Sequence, residues 1–417
     1  MTYPITVITT FDFSNGATFG YPFVIGDPDH GVLGVGTLSD SASVDYVVDV
    51  SNQVGKISIR MGYNLLQDQF EAGQATIRIY DQTGDWNPDN PNSIYYGKLL
   101  PNRKVRVAAV YGSNSYWLYS GYTSAYNYSY PKDQELGYVD VQCTDAFRLF
   151  NLSNITTVTG AVAGETTGQR IGRILDTISW PASMRNIDTG DSLVQADPGT
   201  TRTALQALKN CEFSEQGAFY ISPEGNAVFK SRSNLEKMAG GTQTYFSNAG
   251  DGINYFNITT ALDDKLVINQ ATITRIGGTP QTSSDATSIA AYFPHSLNQA
   301  NLVIQTDAEA LNIAQAYVAT RKDTTLRIDN LTLDLDTPDY SSGITAALDL
   351  EYFDVVKIKN VQQGTTYIEK TLEVVGASHE ITPLQWKSTF TTSEPIIDAF
   401  IIGSSAYGII GVSTMTY

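Results

Sequence analysis

At 417 residues, the chain is too long for one ordinary core, so two to four domains are expected. A net charge of −17, a sequence pI near 4.5 and no run of Lys and Arg exclude a phosphate-neutralising surface and tight nucleic-acid binding, and leave only non-adhesive contact with DNA. Sparse charge (17%) with abundant Tyr (25) and Gly (34) suits β-structure joined by polar turns.

The amino terminus, MTYPITVITTFDFSNG, has neither a basic n-region nor an apolar h-region, and no secretory signal is expected. Residues 1–42 are rich in Gly, Asp and Phe. Pro22 to Leu38, PFVIGDPDHGVLGVGTL, returns without a gap at the other end of the chain as Ala399 to Met415, AFIIGSSAYGIIGVSTM, with seven of 17 positions identical. Each copy reads as an apolar triplet, a Gly-bounded turn and a second short apolar stretch, the form of a bent hairpin. The shared positions Phe23, Ile25, Gly26, Gly31 and Gly34, with Phe400, Ile402, Gly403, Gly408 and Gly411, are candidate partner-docking residues on two terminal arms. The carboxy-terminal copy is too short and too interrupted by Gly and Ser to span a membrane.

From Tyr46 to Asp145 period-2 alternation is frequent: Ile57, Ile59 and Met61; Ala75, Ile77 and Ile79; Val105 and Val107; Val139, Val141 and Cys143. This predicts an antiparallel barrel or sandwich of about six to eight strands. Between its second and third strand signals lies a dense run of turn residues from Asp81 to Asn92. Residues 146–235 change period. Ile171, Ile174, Leu175 and Ile178 predict a helix stopped by Pro181, a second helix runs from about Thr203 to Phe213, and Pro223-Glu224-Gly225-Asn226 turns a hairpin. Residues 236–395 return to strands, with alternation at Leu331, Leu333 and Leu335 and at Trp386, Ser388 and Phe390. One helix is predicted there, opened by the capping box Thr306-Asp307-Ala308-Glu309.

The wording of the first 150 residues most clearly, and of the later chain more diffusely, resembles a known group. Asp68-x-Phe-Glu-Ala-Gly-x-Ala-Thr-Ile, then Asp81-x-x-Gly-x-Trp-x-Pro, Tyr95-Tyr96-Gly97-x-Leu99, Pro101 to Val107, Leu118 to Tyr122, Val139 to Asp145, and Gly376 to Thr382 before Trp386 are similar to the minor tail, or baseplate hub, proteins of long-tailed bacteriophages. The resemblance implies a structural protein with two tail-tube-like barrels. It also implies a homotrimer whose six barrels form a pseudo-sixfold ring.

Motifs for chemistry are absent from the wording. His30, His295 and His379 stand apart from one another and from Cys143 and Cys211, so no metal site is predicted. Asp81, Asp85 and Asp89 lack the offsets of an EF-hand loop and read as turn formers. No Walker A, G-x-G-x-x-G or G-x-S-x-G sequence occurs in the chain. Cys143 reads as a buried thiol, His379 as a surface or turn histidine, and the sequons at Asn127, Asn151, Asn154, Asn257 and Asn330 as chance products of composition.

The expectation is therefore a β-rich α+β chain: an arm at 1–42, a first antiparallel β-barrel at 43–150, a small α/β domain at 151–235, a second barrel with one helix at 236–395, and an arm at 396–417. Neither catalysis nor a cofactor or metal is expected. The expected role is a virion tail hub at the distal end of the tail tube, assembled in the host cytoplasm, adapting sixfold to threefold symmetry and lining the DNA channel. Its expected partners are distal tail and tail-tube proteins, fibre or tip proteins and the tape-measure protein. The alternative is a carbohydrate-binding or carbohydrate-active β-protein using Tyr strips and carboxylates.

Overall fold

Alternating apolar residues build the architecture of this computed structural model, which describes residues 4–19, 47–67, 69–132, 136–337, 340–362 and 366–395. Both terminal arms, Pro22 to Leu38 and Ala399 to Met415, with their ten candidate docking residues, lie outside the described residues. The amino-terminal half of the sheet comprises β1 (Thr6–Asp12), β2 (Val47–Asp49), β3 (Val54–Asn64), β4 (Gln69–Tyr80), β5 (Lys104–Tyr111), β6 (Asn114–Ser129) and β7 (Tyr138–Thr144). Ile57, Ile59, Ile77, Ile79, Val139 and Val141 all turn inward and are fully buried, as their spacing requires. The turn-rich stretch after β4 caps this half: Trp86 is buried against Phe11 (ring centroids 5.2 Å) and Tyr95 (5.1 Å), and its indole N–H donates to Gln53 Oε1 at 2.9 Å.

The chain then enters α1 (Phe147–Leu152), β8 (Asn154–Ile155), α2 (Thr167–Thr177), β9 (Arg185–Ile187), β10 (Arg202–Thr203), α3 (Ala204–Glu215), β11 (Ala218–Ile221), β12 (Ala227–Lys230) and α4 (Arg232–Met238). The predicted helices and hairpin are here. β11 and β12 pair antiparallel around Gly225, whose φ of +93° suits a residue without Cβ, and β9 adds to β12 in parallel.

The remainder comprises β13 (Thr244–Ser247), β14 (Asn257–Ala261), β15 (Gln270–Arg275), β16 (Gln281–Ser284), α5 (Ala286–Tyr292), β17 (Ser296–Leu302), α6 (Asp307–Arg321), β18 (Arg327–Asp334), α7 (Ser341–Asp349), β19 (Val355–Val361), β20 (Tyr367–Thr382) and β21 (Gln385–Ser393). The capping box at Thr306 and Glu309 is formed as predicted. Three helices occupy the region where one was expected. α5 has only seven residues, and α7, nine residues long and opening on Ser341-Ser342-Gly343, has no side-chain cap at Tyr340 to mark its start. Strands β16, β15 and β17 form a separate three-stranded sheet packed on α6.

Among the described residues thirteen strands form one large sheet, ordered β14-β18-β21-β20-β3-β4-β7-β6-β5-β1-β2, with β19 also on β20 and β13 on β19. The two halves follow the same order. β3-β4-β7-β6-β5-β1 corresponds, strand for strand in sequence, to β14-β18-β21-β20-β19-β13. Their registers correspond too. Tyr122 of β6 ladders with Lys104 on one side and Thr144 on the other, and Glu373 of β20 ladders with Val355 and Ser393. Immediately beyond, each long strand carries a bulge, between Thr123 and Ala125 and between Val374 and Gly376. The halves differ at the end, where β1 meets β5 antiparallel and β13 meets β19 in parallel. Among the described residues no ladder closes either half on itself.

The halves join where β20 pairs with β3, from Gly376↔Gly62 to Ile381↔Ile57. Gly62 has φ +141°, and a Cβ there would sit 2.3 Å from the Gly376 Cα. Only glycine permits this approach. Beside it, Phe70 of β4, Tyr220 of β11, and Tyr352 and Phe353 ahead of β19 pack with centroids 5.0–6.1 Å apart, tying the helical segment to both halves. Gly62→Ala is expected to cost about 3 kcal/mol through strain plus backbone overlap. Gly97→Ala, at φ +73° with nothing near its Cβ, should cost about 1 kcal/mol. Urea midpoints for the two variants check the difference, and equal losses would refute the close-approach account.

Candidate functional site

The buried polar groups of this chain serve the fold rather than converge on one another. Glu215, at the end of α3, accepts from Thr167 Oγ1 and from the backbone N–H groups of Asp191 and Ser192, each at 2.8 Å. Glu165 is gripped by Arg170 and by Arg173 (2.7 Å), and Arg170 donates also to the Gln195 carbonyl at 2.7 Å. Asp145 accepts from the N–H of Gly73 at 2.6 Å and of Phe147 at 2.9 Å, pinning α1 to β4; burial nevertheless pushes its carboxyl up to about 7. These are charge-satisfying arrangements within the interior.

The predicted chemistry-bearing residues do not come together. Asp81 is buried and accepts from the Tyr130 hydroxyl at 3.1 Å, Asp85 accepts from Thr83 Oγ1, and the Asp89 N–H is bound by Asn87 Oδ1 at 3.0 Å. Asp85 and Asp89 serve their own turn, and Asp81 ties that turn to the chain beyond β6. No group of three or more metal-ligating side chains is gathered among the described residues. Cys143 and Cys211 are free, buried thiols, both pushed up by burial. His30 lies outside the described residues; His295 approaches Asp264 Oδ2 at 3.3 Å.

His379 departs from the surface position expected of it. It is buried within β20 because that strand is flanked by β21 and by β3, and its Nδ1 lies 2.8 Å from Ser388 Oγ. Burial lowers its pKa to about 4. Two cavities of about 490 and 500 Å³, one beside α7 at Ser341, Thr345 and Asp349, the other at Glu165, Gln169 and Arg173, contain neither histidine nor cysteine.

What the sheet does present is edge. β14 pairs only with β18, and β6 carries β7 along one side of its second half and no strand on the other among the described residues. Tyr128 on β6, Tyr130 just past its end, and Phe256 and Leu262 flanking β14 are exposed there.

The tail protein of Neisseria meningitidis MC58 matches this architecture with a TM-score of 0.55 at 11% identity, over 94% of this chain and 97% of that one. The 43 kDa tail protein of prophage MuSo2 from Shewanella oneidensis matches with a TM-score of 0.52 at 14% identity, over 84% and 95%. The chain has a phage tail-protein fold. No protein-family model matches the sequence, and no curated protein does. The tail-protein fold agrees with the resemblance read from Asp68 to Asp145 and covers the helical segment and the second half of the sheet as well. Sequence reasoning missed the sheet edges: neither β14 nor the second half of β6 is marked by apolar alternation, and the local signal there is the aromatic residues Tyr128, Tyr130 and Phe256.

Glu373, buried at the start of the β20 bulge, is pushed up to about 8 by desolvation alone. Its folded pKa exceeds the unfolded one, so its stabilising share is complete below about pH 4.5 and is lost as pH rises through about 8. Glu373→Gln is therefore expected to raise the melting temperature at pH 8.5 by several degrees, on the order of 2 kcal/mol, and to change it little at pH 5. Thermal melts at the two pH values check this; an equal shift at both would refute it.

Proposed function

We propose that this chain is a structural subunit of a bacteriophage tail, a hub at the distal end of the tail tube. The observation that carries the reading is the recurrence of one strand order, register and bulge in both halves of the sheet, within a tail-protein fold. A chain holding two equivalent halves has what a threefold assembly needs to present six similar walls to a sixfold tube. In this reading residues 43–150 and 236–395 form the two barrel-like walls of a homotrimer, and 151–235 the smaller domain between them. The chain is not an enzyme. Its net charge of −17 suits a channel that DNA passes without adhering.

The arms Pro22 to Leu38 and Ala399 to Met415 dock neighbours, through Phe23, Ile25, Gly26, Gly31 and Gly34 and through Phe400, Ile402, Gly403, Gly408 and Gly411, while Thr6–Asp12 of the expected arm at 1–42 belongs to the sheet as β1. The neighbours are distal tail or tail-tube proteins on one side, fibre or tip proteins on the other, and the tape-measure protein within. The protein acts in the virion after assembly in the host cytoplasm. Solution mass with electron microscopy is expected to give a trimeric ring with six similar lobes, and a strict monomer under all conditions would refute the hub. Deleting Ala399 to Tyr417 is expected to leave the melting curve of the core unchanged and to reduce particle assembly; unaltered assembly and infectivity would remove the docking role.

A further inference from the structure

We infer that copies of this chain join by β-ladder, the free edge of β14 in one copy adding to the second half of β6 in the next, in the register that already joins β3 to β20 within the chain. The inference deepens the ring reading and rests on it. Glu373 pairs with Val355 and with Ser393, so β19 and β21 lie on opposite edges of β20. β19 ends at Glu373, and β3 takes the same edge from Gly376 to Ile381. Tyr122 likewise pairs with Lys104 and with Thr144, so β5 and β7 lie on opposite edges of β6. β5 ends at Tyr122. The place beyond it, filled by β3 on β20, is vacant on β6 among the described residues.

The complementary vacancy is on β14. β14 stands to β18 as β3 stands to β4: Ile258 faces Leu331 and Ile57 faces Ile77, and these partners in turn face Phe390 and Val141. β3 uses its second edge for β20; among the described residues β14 pairs only with β18. Exposure records the difference. Counting from the shared bulge, Tyr128 and Tyr130 occupy the places of His379 and Ile381. His379 and Ile381 are each 5% exposed under β3, whereas Tyr128 and Tyr130 are 36% and 51% exposed. Phe256 (59%) and Leu262 (67%) flank the β14 edge. Two bare edges bordered by large apolar groups are unstable in isolation and are relieved by strand addition. Because the two edges differ, the contact is head-to-tail, and a ring closes it.

Transferring the joint's register, Glu380↔Ser58 and Ile381↔Ile57, sets Ser129 opposite Thr259 and Tyr130 opposite Ile258 across copies. Opposed residues of an antiparallel ladder lie about 4.5–5.5 Å apart at Cα, within disulfide reach. Full-length protein carrying Ser129→Cys and Thr259→Cys, oxidised with copper phenanthroline, is expected to run as covalent dimer and trimer on non-reducing gels. The internal control, Ser58→Cys with Glu380→Cys, is expected to cross-link within one chain. As a second, uncross-linked readout, Ser129→Lys with Thr259→Lys should lower the ring fraction several-fold at an unchanged melting temperature, and Ser129→Lys with Thr259→Glu should restore it. Rings by mass that neither cross-link nor respond to charge overturn the ladder and leave the hub reading standing. A Thr259→Cys single variant yielding dimers overturns it too, because like edges would then meet. A monomer in every condition overturns both.

Discussion

The ladder between β3 and β20 is the constraint on which the rest of the molecule depends. The halves meet on β20, whose 16 residues hold β19 and β3 end to end along one edge. Without that shared strand the halves would be two separate sheets. With it, β3 is paired on both sides, while β14, β2 and β13 each keep one partner strand among the described residues. The close approach of Gly62 and Gly376 seats the joint, and the aromatic cluster of Phe70, Tyr220, Tyr352 and Phe353 keeps the helical segment against it.

The buried polar groups divide by what they do for that joint. Glu215, Glu165 and Asp145 hold loops and helix ends through several donors each, so they fix local geometry in the helical segment and where it leaves β7. Glu373 and His379 lie on β20 itself, and both are shifted by desolvation rather than by a charged partner. Their shifts oppose each other: the carboxylate favours the folded state at low pH, the imidazole favours it at high pH. Between about pH 5 and 8 the folded strand therefore holds both groups neutral inside the sheet.

Much of this was readable in the sequence because the signals are local. The alternation at Ile77 and Ile79 and at Leu331 and Leu333, the capping box at Thr306 and the turn around Gly225 each involve a few neighbouring residues. What was hidden is what depends on partners far along the chain. His379 reads as a surface residue until β3 is laid beside it, and Gly62 and Gly376 are unremarkable strand glycines until they meet. α5 and α7, of seven and nine residues, are too short for periodicity to separate them from apolar loops. The ten arm residues rest on an internal repeat alone, and the sheet edges carry no motif; their meaning lies in the comparison of one half with the other.

The distance along the chain between the partners of the joint has a consequence for synthesis. Ser58 and Glu380 are 322 positions apart, so a ribosome adding about 5–20 residues per second exposes β3 for roughly 20–60 s before β20 emerges. Once β7, which ends at Thr144, has emerged, the first half is translated, foldable and missing its neighbour for the rest of that interval. On a crowded polysome, the nearest suitable strand is the β20 of a chain further ahead on the same message. Nascent copies are thus poised to exchange strands, and the order in which they leave the ribosome becomes part of how correct assemblies are separated from tangled ones.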